Sequence, residues 1–186
     1  MIKIDKEIIS TFLERDRKNI ENDLASYKDV YSAARAKNYQ GKKHSHQYLI
    51  KPIILEDFAQ RIVSKEVELQ DANSFEEIYS IVQSCRIRGI GNLALYDTAV
   101  RIGYQLNKPP LNVYLHQGTR IGASKLGIHG NIIPKSEFDK FGLNELTAHE
   151  IECFLCIYRN YIGNSNPTNP IKSKCSHFTL PKSRCV

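Results

Sequence analysis

The sequence predicts an all-α or nearly all-α fold, a multi-helix domain with little sheet. Apolar residues recur at steps of three and four through most of the chain. Capping residues stand ahead of several of these runs, and no convincing alternating stretch marks a strand. From Lys6 to about Lys37 the spacing of Ile8, Phe12, Ile20, Leu24, Tyr27 and Tyr31 fits one long helix or two shorter ones. "NYQGKKHSHQYLIKP" then breaks the period, and Pro52 closes what reads as a basic connector. A helical pattern resumes from Ile54 to about Leu69. Ser74, with Glu77 three places on, has the form of a capping box opening a helix from Phe75 to about Cys85. After a turn holding two glycines, Asn92 is expected to N-cap a helix that turns Leu93, Ala94, Tyr96, Ala99, Val100 and Ile102 inward. "NKPPLN" ends it. In the ambiguous stretch "VYLHQGTRIGASKLG", Thr119 is expected to cap a short helix stopping at Gly127. Thr147 and Glu150 form a second capping box, opening a helix that runs to about Gly163. Residues 164–186 read as a basic, proline-broken tail following a single globular domain over 1–163.

Composition narrows the function. With 186 residues and 41% hydrophobic side chains, the chain can bury a real core and is too apolar to be disordered. No continuous apolar run approaches the roughly 18 residues of a membrane span, and the first twenty residues lack a signal-peptide core. Five irregularly spaced cysteines do not form a secreted disulfide framework, so a reducing cytoplasm and no membrane partner are expected. The net charge of +6 is moderate, but its distribution is uneven. Val30 to Leu55, Thr98 to Ser136 and Cys153 to Val186 contain no Asp or Glu, and each carries five Lys or Arg. If these stretches converge they make one positive face for a nucleic acid; otherwise they are separately solvated surfaces.

The segment "SFEEIYSIVQSCRIRGIGNLALYDTAVRIG" sharpens the expectation. It sets a capped helix, a Gly89-Ile90-Gly91 turn and a second helix rich in small residues in order. The pattern resembles the helix-hairpin-helix motif, here over 74–106. Two glycines allow a tight turn and close backbone approach, while the following helix offers N–H groups and a positive dipole end to a phosphate. Such a grip uses little sequence information. The resemblance implies that Gly89, Ile90, Gly91 and Asn92 contact a nucleic-acid backbone, DNA being the expected partner. Arg86, Arg88, Arg101, Arg120 and Lys125 would supply neighbouring charge, with Lys42 and Lys43 from the connector.

The arrangement is similar to the endonuclease III type of DNA glycosylase, because "VYLHQGTRIGASKLG" follows the hairpin at a comparable place. It departs from that family at the chemistry. The nucleophilic lysine of the bifunctional members corresponds to Leu93, and the carboxylate position to Tyr114 or Leu115. Asp97, six residues past Gly91, comes too early to replace it. A nucleic-acid-binding protein without glycosylase activity is therefore the first reading. A base-excision or other DNA-processing enzyme with a displaced catalytic group is the second, and a protein-interaction module with a structural hairpin the third.

Other constellations add less. Cys153-x-x-Cys156 with Cys175, His177 and Cys185 invites a zinc or iron–sulfur reading, but two of these cysteines fall within an apolar helical run. They are read as core residues, and no cofactor is expected. His149-Glu150 does not continue into a zinc-protease spacing, since Cys153 stands where the second histidine would be. His44 and His46, with Lys42, Lys43, Tyr48 and Lys51, suit either phosphate and base contact or an exposed loop. His116 and Arg120 are the polar candidates for a pocket, without a carboxylate partner to define a reaction.

Overall fold

The computed structural model describes residues 4–163. Helix α1 (Lys6–Thr11) passes through a π-helical turn (Phe12–Asp16) into α2 (Arg17–Ala25), followed by α3 (Val30–Ala34) and a 3-10 turn (Ser45–Gln47). Next come α4 (Pro52–Val63), α5 (Glu66–Asp71), α6 (Phe75–Ser84) and α7 (Asn92–Gln105). Strand β1 (Asn112–Tyr114), α8 (Gln117–Ser124), β2 (Ile132–Pro134), a 3-10 segment (Lys135–Phe141) and α9 (Ala148–Ile157) complete the order. The fold is mostly helical, as expected. Among the described residues the sheet is one antiparallel pair, β1 with β2, in which Val113 faces Ile133. No helix among the described residues is long and apolar enough to cross a membrane. The expected tail over 164–186 lies outside the described residues.

The described chain divides into two compact units, one of residues 4–20 and 111–163 and the other of 21–110. The first unit is built on α9. Phe12, reaching the core from the π turn, meets Phe154 edge-on at 5.5 Å, and Phe154 stacks on Tyr158 at 5.1 Å. The Tyr158 hydroxyl donates to Asp16 at 2.7 Å, beside Arg15 on the same carboxylate. Burial, reinforced by Asp16, pushes the Tyr158 hydroxyl well above its ordinary pKa. Helix α8 lies so close on α9 that a Cβ at Gly122 would collide with the Leu155 carbonyl oxygen. Only glycine fits there.

At the start of α9 the expected capping box is complete. Thr147 accepts from the Glu150 N–H, and Glu150 accepts from the Thr147 N–H at 2.7 Å. Arg17 then closes on the Glu150 carboxylate at 2.7 Å. Helix α9 itself ends at Ile157 rather than near Gly163.

The second unit packs α6 on α7 through Phe75, Tyr79 and Tyr96, whose rings meet edge-on at 6.0 and 6.2 Å. Phe58 and Ile62 of α4, Leu69 of α5 and Ile78 of α6 are fully buried. Helix α7 is buried almost all round, from Ala94 to Tyr96 and from Thr98 to Gly103, as a helix in the middle of a core must be.

Several boundaries differ from the expectation. The N-terminal run is divided by the π turn and by a break before Asp29, whose side chain caps α3. The Ser74 hydroxyl caps α6 as expected, but Glu77 accepts from the Asn73 N–H at 2.7 Å, one residue before the box position. Asn92 is the first helical residue of α7 and Gly91 the N-cap, because Gly91 has extended backbone angles. Thr119 sits inside α8 and returns its hydroxyl to the His116 carbonyl; His116 is the N-cap, and the helix stops at Ser124.

Candidate nucleic-acid interface

The connection between α6 and α7 is short and internally held. The Ile90 N–H donates to the Ile87 carbonyl at 3.1 Å, and the Ile90 side chain is buried. Cys85, at the end of α6, is buried too and directs its thiol toward the Arg61 carbonyl. Burial pushes that thiol's pKa up. Gly89 has φ of +97°, a conformation that strains any residue with a side chain. A Cβ there would also lie 2.9 Å from the Ile54 Cδ1 methyl of α4. The backbone angle is what requires glycine at 89, since the Ile54 methyl ends a side chain that can shift.

Gly91 is different. Its angles, φ −87° and ψ 170°, suit any residue, and a Cβ there would meet nothing within 4 Å. No side chain caps α7, whose first ladder bond runs from the Leu95 N–H to the Gly91 carbonyl at 3.1 Å. The N–H groups of Asn92, Leu93 and Ala94 therefore open at a helix start beside exposed Arg86, Arg88, Gly89 and Gly91. Chemically this is an anion-accepting backbone with two cations next to it.

The other residues expected at the interface divide sharply. Ile90 anchors the turn in the core and offers no side chain to a ligand. Arg101 is only 2% exposed, so it is removed from the surface set. Its guanidinium donates to the Ala33 carbonyl at 3.2 Å and to Gln47 Oε1 at 2.9 Å, over the face of Tyr27 at 4.9 Å. Burial, outweighing Arg101, pushes the Tyr27 hydroxyl up to about 12. Lys43 is turned onto the Tyr48 and Ile50 carbonyls, and burial lowers its pKa. Lys42 remains exposed.

In the unit of 4–20 and 111–163, Arg120 closes on the Leu115 carbonyl at 3.0 Å and on Asn131 at 2.7 Å, while Lys125 donates to the Arg159 carbonyl. Tyr114 and Leu115, at the place of the glycosylase carboxylate, are both buried. The acid-free stretches thus use many of their cations on carbonyls within their own unit. Cys153 is buried and Cys156 partly so, whereas Cys175, His177 and Cys185 lie outside the described residues.

Sequence reasoning missed a polar cluster centred on Asp97. Asp97 Oδ2 accepts from Gln47 Nε2 at 2.7 Å and lies 3.0 Å from His46 Nδ1. Burial would raise its carboxyl, but the charge and hydrogen bond of His46, backed by Arg101 and His44, hold it well below the usual carboxylate range. Two signals pointed there. Asp97 and Arg101 stand one turn apart on a helix otherwise apolar all round, where a charged side chain needs a buried partner. The connector also places its two histidines on either side of Ser45.

No protein-family model, curated protein or solved structure matches the chain.

Proposed function

We propose that the chain binds nucleic acid, DNA in the first instance, by seating a backbone phosphate at the start of α7. The open, uncapped Gly91 end of that helix carries the reading, with Arg86 and Arg88 exposed beside it. Ile54 lies beside Gly89, and Tyr48, Leu49 and Ile53 shortly before it in the chain are exposed, apolar side chains of the kind on which a base can rest. Leu93, Tyr114 and Leu115 cannot supply the nucleophile and carboxylate of the glycosylases, so the role proposed is binding.

Substituting Gly91→Asp tests this directly. The aspartate fits the backbone and space available, satisfies the helix N–H groups itself and repels phosphate. Affinity for a short duplex at low salt should fall at least tenfold while the melting temperature holds or rises. Unchanged affinity with the fold intact would overturn the reading. Removing Arg86 and Arg88 together should flatten the dependence of log affinity on log salt by about 2, one for each phosphate no longer neutralised.

A further inference from the structure

The Asp97 cluster also has the composition and spacing of a metal centre. His44, His46 and Asp97 each bring one ligand atom, and these atoms all lie within 4.8 Å of one another. Asp23 Oδ2, 3.7 Å from His44 Nε2, stands outside this trio. We propose that the three side chains of His44, His46 and Asp97 bind one divalent transition-metal ion of the zinc class.

Two imidazoles with carboxylate oxygens suit zinc better than magnesium or calcium, which take oxygen donors. Metal–ligand bonds of about 2.0–2.1 Å in a tetrahedron put neighbouring donors roughly 3.3 Å apart. The 3.0 Å between His46 Nδ1 and Asp97 Oδ2 is close to that value, and His44, within 4.8 Å of both, would move inward to complete the site.

The surroundings orient the ligands. Arg101 donates to Gln47 Oε1, and Gln47 Nε2 donates to Asp97, so the amide can sit only one way round. Its oxygen lies 3.1 Å from His44 Nδ1. The His46 N–H donates to the same nitrogen at 3.3 Å, so both groups hold the His44 ring in place. His44 and His46 belong to the 3-10 turn and its cap, and Asp97 to α7. The ion would tie the basic connector to that helix.

The other metal-competent group among the described residues, His149, Glu152 and Cys153, comes from successive turns of α9 alone and ties nothing together.

The test uses the full chain, stripped with chelator and titrated with Zn²⁺ and Co²⁺ by calorimetry and absorption. One ion per chain should bind with micromolar or tighter affinity and raise the melting temperature. The cobalt spectrum should lack a thiolate charge-transfer band, which separates this site from the cysteines. His44→Gln and His46→Gln should each weaken binding at least tenfold and abolish the zinc-dependent rise. If either unfolds, the isosteric Asp97→Asn should weaken binding with secondary structure retained by circular dichroism. Absence of stoichiometric binding, a thiolate band, or affinity unchanged in the variants would overturn the assignment. None of these readouts involves nucleic acid.

Discussion

Helices α7 and α9 are the central elements of their respective units, and they begin in opposite ways. The start of α9 is closed by its own chain, with a reciprocal Thr147–Glu150 box and Arg17 on the glutamate. The start of α7 is a glycine with room around it and no side chain on the helix N–H groups. Their charges are distributed to match. Helix α7 holds its polar anchor in mid-helix, at Asp97 and Arg101, whereas α9 anchors itself at its first turn through Glu150. Capping adds about 1 kcal/mol to a helix start. A helix that forgoes it needs stabilisation from elsewhere and keeps its terminal donors available to a ligand.

The contrast is broken most severely in the middle of α7. Arg101→Met should cost about 3 kcal/mol in denaturant unfolding, because it deprives the Ala33 carbonyl, Gln47 and Asp97 of their buried cation. Next, Glu150→Ala should cost about 2 kcal/mol by losing the box and leaving Arg17 with only the Glu145 carbonyl, with no change in duplex affinity. Within the turn, Gly89→Ala should destabilise by about 1–2 kcal/mol, since its φ opposes a side chain. Gly91→Ala should stay within about 0.5 kcal/mol. Comparing the two alanines by thermal melts separates the structural glycine from the open one.

The smallest effect is alkaline. Tyr27 in one unit and Tyr158 in the other both have folded pKa values raised by burial. A raised folded pKa contributes stability that is complete below the unfolded value of about 10 and is lost as pH climbs through the folded one. Stability measured from pH 8 to 11 should therefore decline above about pH 10, and Tyr27→Phe should soften that decline.

Where a local rule decided an element, the sequence was readable. Ser74 and Thr147 announced their helices because an N-cap and the residue three places on act within one turn. The Gly89 requirement was legible for the same reason. Strands β1 and β2 were not, because three residues cannot show an alternation and their pairing spans the whole of α8. The Asp97 cluster escaped because its partners lie about fifty residues away, and the contact that matters is set by how α7 meets the connector. The fate of the basic residues was hidden by the same kind of distance: Lys125 and Arg101 are counted as surface charge until the carbonyls that receive them are known.

The buried Ile90 and the Ile87–Ile90 hydrogen bond have a kinetic consequence. A turn pinned in this way is already in its final shape before any partner arrives, so the encounter need not wait for a loop to order, and the backbone of the turn surrenders little conformational entropy. Association should then be limited by diffusion and charge, with variation among ligands expressed in how fast they leave.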